Sequence, residues 1–122
     1  MARILLVEDD PLSRKLVSDL LTHRGHQVVE AGSVDEARQQ MQRGEPQLVL
    51  LDVQIPGGGG QLVLEEIRRR EQMEGVPVVA VTALASKQDE DRLKRLGFDA
   101  YFSKPISTRT FAAQLEALLK VG

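Results

Sequence analysis

Short runs of consecutive apolar residues, separated by longer segments of helical periodicity, constrain this chain more than any other feature. The runs are Ile4-Leu5-Leu6-Val7, Val28-Val29, Leu48-Val49-Leu50-Leu51, Val78-Val79-Ala80-Val81 and Ala100-Tyr101-Phe102. Three of them are unbroken apolar blocks with no inside–outside alternation. Strands covered on both faces read this way, as in a parallel sheet.

The intervening segments have readable ends. The first carries Leu12, Leu16, Leu20 and Leu21 on one side, a core stripe, with Asp10 as N-cap, Pro11 at the first helical position and Gly25 as terminator. The second opens with the capping-box spacing Ser33-Val34-Asp35-Glu36 and stops near Gly44. The third follows the glycines at 57–60 and presents Val63, Leu64 and Ile67. The fourth is highly charged from Lys87 to Arg95, turns Leu93 and Leu96 inward and ends at Gly97. The fifth starts after Ser107 and spaces Phe111, Leu115 and Leu118 helically. Five strands and five helices in strict alternation predict an α/β fold, an open, doubly wound parallel sheet with helices on both faces. At 122 residues the chain suits one domain, 1–122, with no linker or repeat.

Composition excludes several functions. The net charge of −2, from 16 basic and 18 acidic side chains, gives no basic excess for nucleic acid. There are no cysteines, hence no disulfides, thiolate metal sites or thiol catalysis. No apolar run approaches a membrane span, and Met1 leads directly into a strand-like run without a signal-peptide layout. A cytoplasmic location is the expectation.

In such sheets chemistry gathers at the carboxyl ends of the strands. There the sequence places Glu8, Asp9 and Asp10 after the first run, Asp52 after the third, Thr82 and Ala83 after the fourth, and Ser103, Lys104 and Pro105 after the fifth. A nucleotide-binding sheet would carry glycines after the first strand, so that backbone amides cradle a pyrophosphate. Carboxylates there repel phosphate and one another, and a hard cation relieves both repulsions. Oxygen ligands without His or Cys suit Mg²⁺. Aspartate can form an acyl phosphate, and Asp52 ends the central, most hydrophobic run, which makes it the first choice of nucleophile. Lys104 and Thr82 are placed to neutralise and hydrogen-bond phosphoryl oxygens.

With these residues assembled, the chain resembles the receiver domain of bacterial response regulators, of stand-alone type, along its whole length. The resemblance rests on the motifs ILLVEDD (4–10), LLDVQIP (50–56), VVAVTA (78–83) and AYFSKP (100–105). It implies the flavodoxin-like strand order 2-1-3-4-5. It implies Asp52 as phosphoacceptor. Mg²⁺ would be bound directly by Asp9 and Asp52, by Glu8 through water, and by the Gln54 backbone carbonyl. Thr82 and Lys104 would contact the phosphoryl group, Thr82 and Tyr101 would act as the switch pair, and the Lys104-Pro105 bond would be cis. The implied partners are a histidine kinase or histidine phosphotransfer protein as donor, and a downstream protein docking on helix 4, strand 5 and helix 5. The implied role is a non-enzymatic switch that assists its own phosphorylation and dephosphorylation. Gln54 and Leu84 would influence the lifetime of the phosphoryl group. With no output domain after Gly122, output would pass by docking or phosphorelay; the ends suit equally a domain cut from a hybrid kinase.

One departure from the family pattern, Met-Pro-x-Met-Asp/Asn-Gly after the phosphoacceptor, is the stretch Ile55-Pro56-Gly57-Gly58-Gly59-Gly60. Four glycines predict that 57–60 form the most mobile loop near the site. Two other functions compete: an aspartyl-nucleophile phosphatase, which has an acid/base aspartate where this chain has Gln54, and a constitutive interaction module, which has no use for the full acidic set. His23 and His26 receive no catalytic role, and Arg68-Arg69-Arg70 reads as a solvated face.

Overall fold

The computed structural model describes residues 2–55, 59–83 and 86–119. Elements alternate along the chain: β1 (Arg3–Val7), α1 (Pro11–His23), β2 (Gln27–Ala31), α2 (Val34–Arg43), β3 (Leu48–Asp52), α3 (Gly59–Arg69), β4 (Val78–Thr82), α4 (Lys87–Leu96), β5 (Ala100–Ser103) and α5 (Phe111–Glu116), with a 3-10 turn at Glu71–Met73. The strands form one parallel sheet in the order β2-β1-β3-β4-β5. This is the predicted doubly wound architecture.

Alternate residues of each strand feed opposite layers. Leu5, Val7, Val49, Leu51, Val78 and Ala80 pack on Ala37, Met41, Val63, Ile67 and Leu93 of α2, α3 and α4. Ile4, Leu6, Leu48, Leu50, Val79 and Val81 pack on Val17, Leu21, Phe111 and Leu115 of α1 and α5. β3 and β4 are buried throughout, which is why they read as unbroken apolar blocks. Each fully buried Leu, Ile or Val side chain contributes ~1.5–3 kcal/mol, and the two layers hold the strand tips in register.

The helix ends follow the local chemistry. Asp10 caps α1 through the Leu12 N–H at 3.3 Å, with Pro11 behind it. Ser33 accepts the Glu36 N–H at 3.1 Å, while the Glu36 carboxylate accepts from Gly32 N–H at 2.8 Å. Ser86 and Asp89 form a reciprocal capping box at α4, and Gly97 closes that helix at φ +110°, a conformation that favours glycine.

Four expectations change. The Leu stripe of α1 is not all core: Val17 and Leu21 are buried, but Leu12 is 80% and Leu16 44% exposed. Helix α3 begins inside the glycine run, with Gly59 and Gly60 buried in its first turn, so half of the expected mobile loop is packed helix; Gly57 and Gly58 lie outside the described residues. A Cβ on Gly60 would lie 2.6 Å from Val53 Cα, and one on Gly59 2.7 Å from Ile55 Cδ1, so close approach, not freedom, is what these two glycines supply. Helix α5 begins at Phe111, preceded by a turn whose Ser107 carbonyl accepts the Phe111 N–H at 3.0 Å. Arg68 is no free solvated charge: it donates to the Gly97 carbonyl at 2.6 Å and to Asp99 at 2.9 Å, tying the end of α3 to the loop before β5.

Candidate functional site

The tips of β1, β3, β4 and β5 open on one side of the sheet. Because β1 and β3 are neighbours, Glu8 follows Val7 beside Asp52, which ends β3. One carboxylate oxygen from each of Glu8, Asp9 and Asp52 lies within 4.8 Å of the others. Glu8 and Asp52 are 4% and 5% exposed, while Asp9 faces solvent. β4 contributes the wholly buried Thr82. Its carbonyl accepts the Lys104 N–H at 2.8 Å, carrying the β5 ladder one residue past Ser103. From there the Lys104 ammonium reaches Glu8 Oε1 at 2.8 Å and Asp52 Oδ2 at 3.2 Å. The Lys104-Pro105 bond is cis.

Asp52 is held on both oxygens: Oδ2 by Lys104, Oδ1 by the Gln54 backbone N–H at 2.9 Å. The electrostatics are asymmetric. Burial, then the hydrogen bond shared with Asp52, pushes the Glu8 carboxyl up to about 7, with Lys104 pulling the other way. For Asp52 burial opposes ionisation, but the hydrogen bonds from Glu8, the Gln54 N–H and Lys104 hold it below the usual carboxylate range. A buried carboxylate pair cannot carry two full charges cheaply, so as pH falls Glu8 takes up a proton before Asp52 does. Asp10, the α1 cap, also lies low because of its bond from Ser13. Its part is structural, and it lies outside the carboxylate triad.

A cavity of about 370 Å³ adjoins the cluster; Asp52, Glu8 and Lys104 form its polar end, and Leu16, Val81 and Ile106 contribute apolar wall. Tyr101 is half-buried against the α2–α4 layer, and the Glu90 carboxylate raises its phenol above the usual range.

The structure therefore brings together Glu8, Asp9, Asp52, Thr82 and Lys104, places the Gln54 N–H on Asp52, and sets Tyr101 on the neighbouring strand. Leu84 lies outside the described residues. Sequence reasoning missed Arg14, whose Nη1 donates to the Glu8 carbonyl at 2.8 Å; its position one helical turn after Asp10 was the available signal.

The model of the response regulator receiver domain matches residues 4–116 of the chain. The chain belongs to this family. This receiver is 36% identical over 116 residues to the polar-differentiation response regulator DivK of Brucella ovis, covering 95% of this chain and 94% of that protein. Its fold is similar to the chemotaxis response regulator CheY4 of Vibrio cholerae, with 26% identity, a TM-score of 0.91 and coverage of 98% and 99% of the two chains. The BeF3-activated N-terminal receiver domain of Klebsiella pneumoniae RstA matches with 30% identity and a TM-score of 0.86, over 98% of the receiver and 99% of that chain. The receiver is thus a two-component signalling module, and among its described residues no helix is long and apolar enough to cross a membrane.

Proposed function

We propose that the chain acts as one domain, 1–122, which takes a phosphoryl group on Asp52 from a phosphohistidine of a kinase or phosphotransfer protein, in a Mg²⁺-dependent reaction, and signals through the resulting change of shape. The observation that carries this reading is the three-carboxylate cluster with Lys104 bridging its two buried members. Its donor set is all oxygen, in keeping with Mg²⁺. Glu8, Asp9, Asp52 and the Gln54 carbonyl would hold the ion, with Glu8 acting through water. The bound ion would supply positive charge that offsets the carboxylates and the incoming phosphoryl oxygens.

The chain's own groups divide the remaining work. Asp52, the more acidic of the buried pair, is the nucleophile: its oxygen forms the new bond to phosphorus while the bond from phosphorus to the donor imidazole nitrogen breaks. Lys104 neutralises a phosphoryl oxygen, and the Thr82 hydroxyl donates to another. Movement of Thr82 draws Tyr101 inward and biases a two-state equilibrium at α4 and β5. The donor approaches over the exposed Leu16 at the rim of the cavity, and the downstream protein docks on α4, β5 and α5. In these roles the protein is a switch that assists its own phosphorylation and dephosphorylation, not an enzyme acting on other molecules, and it works in the cytoplasm. The BeF3-activated relative of similar fold supports this reading, because a beryllofluoride group resembles a phosphoryl group in shape and charge.

The test is to incubate the protein with Mg²⁺ and a small acyl-phosphate donor and to weigh it. A phosphoryl mass gain that needs Mg²⁺ and vanishes in Asp52→Asn is the expected result. Absence of the gain, or its survival in Asp52→Asn, defeats the assignment.

A further inference from the structure

Asp9 is the solvent-facing member of the carboxylate cluster, so its place depends on how the backbone beside it is held. Three bonds define that backbone. The Glu8 N–H donates to the Ala31 carbonyl at 2.9 Å. The Asp10 N–H reaches Glu8 Oε2 at 3.4 Å. Arg14 Nη1 donates to the Glu8 carbonyl, the oxygen of the Glu8-Asp9 peptide itself, at 2.8 Å. Arg14 stands on α1 and also approaches Glu30 Oε1 of β2 at 3.4 Å, its side chain only 26% exposed. Its guanidinium lies against Gly32, where a Cβ would come within 2.9 Å of Arg14 Nη1, so the guanidinium tip would have to shift.

We propose that Arg14 is a positioning residue for the metal loop, its guanidinium setting the Glu8-Asp9 peptide so that both carboxylates face a divalent cation, with Gly32 leaving room for the guanidinium tip. The proposal rests on the reading that Glu8, Asp9 and Asp52 bind Mg²⁺. Residues behind metal ligands commonly orient them in this way.

Charge and position make opposite demands on Arg14, which gives the test its force. A guanidinium near a dication repels it, so by charge alone Arg14→Met would tighten Mg²⁺ binding. A positioning role requires the reverse. The measurement is an NMR titration of the full chain with MgCl₂, with circular dichroism melts to establish that each variant is folded. Arg14→Met is expected to weaken Mg²⁺ binding about tenfold, the lower end of such effects. Arg14→Lys, which keeps the charge and one donor, is expected to recover part of the loss. Gly32→Ala keeps every charge but displaces the guanidinium tip; it is expected to weaken binding in the presence of Arg14 and to add nothing to Arg14→Met.

Saturable Mg²⁺ binding by the unaltered protein together with unchanged or tighter binding by Arg14→Met overturns the proposal. If Arg14→Met does not fold, Gly32→Ala decides alone, and an unchanged affinity there overturns it equally. No saturable binding by the unaltered protein defeats the metal-site reading itself, and the role of Arg14 with it.

Discussion

At Glu8 a carboxylate is asked to stay buried beside another carboxylate, and its titration reports the state of the whole site. Its pKa stands near 7 in the folded protein against 4.5 when unperturbed. A carboxyl raised on folding contributes stability that is fully present below the unfolded value and lost as pH rises through the folded one. The metal-free protein therefore loses stability from this group between about pH 4.5 and 7. Glu8→Gln removes the penalty, and a gain in thermal stability at pH 8, absent at pH 5, is the expected outcome of metal-free melts. Its size should be on the order of 1–3 kcal/mol, less whatever the lost Lys104 contact contributes. A second expectation has the opposite dependence. Mg²⁺ must displace the proton on Glu8, so its affinity should fall as pH drops below about 7. Mg²⁺-induced shifts in melting temperature at pH 6 and pH 8 check this; equal shifts would contradict it.

At the scale of elements, the junction of β3 and α3 shows why glycines that promise mobility in sequence can be packed in the fold. Gly60 lies against the Val53 backbone and Gly59 against the Ile55 side chain and Val34 Cγ2. That closeness brings α3 onto the strand immediately after Asp52 and leaves the Gln54 N–H on the Asp52 carboxylate. Gly→Ala inside a helix ordinarily gains up to ~1 kcal/mol; here the collision outweighs it. Gly60→Ala is expected to destabilise by ~2–4 kcal/mol, since backbone cannot move aside. Gly59→Ala should cost ~1–3 kcal/mol and be partly rescued by Ile55→Ala, which removes the atoms in the way. Denaturant melts of Gly59→Ala, Gly60→Ala, Ile55→Ala and the two double variants check the pattern, each double read against Ile55→Ala alone because Ile55 is buried; rescue of Gly60→Ala by Ile55→Ala would contradict it.

Across the whole molecule, contacts distant in sequence tie the ends of the chain together. His26, buried just before β2, accepts the Ala2 N–H on Nδ1 at 3.1 Å, and its Nε2 lies 2.7 Å from Glu116 in α5. Arg24 brings its guanidinium to the same carboxylate. Together, Arg24 first and His26 after it, they hold Glu116 down to about 2. A depressed carboxyl contributes stability present above its unfolded pKa and lost as pH falls through the folded one, so this clamp weakens only below about pH 4.5. Glu116→Gln is expected to lower the melting temperature at pH 7 by a few degrees and to speed amide exchange in α5, with no such effect near pH 2. Unchanged exchange at pH 7 would show that α5 is held by Phe111 and Leu115 alone.

How much of this was legible beforehand depended on the range of the interactions. The parallel, doubly wound sheet followed from β1, β3 and β4 being apolar blocks, whereas the strand order was available only through the resemblance to the receiver family; Glu8, Asp9, Asp52, Thr82 and Lys104 were legible as strand-tip residues because the chain's own periodicity reveals those positions. The exposure of Leu12 and Leu16 was not legible: both share the helical period of Leu20 and Leu21, and only the reach of α5 and the β5–α5 turn decides which part of α1 is covered. The packing of Gly59 and Gly60, the anchoring of Arg68 on Gly97 and Asp99, the burial of His26 and the placing of Arg14 on the Glu8 carbonyl belong to the same class. The sequence by itself determined the alternation, the two-faced burial and the residue types at the working edge, because these depend on local periodicity and hydrophobicity. Only the tertiary structure decided the distances among the three carboxylates and which surface residues are anchored, because those depend on surfaces meeting from segments far apart in the chain.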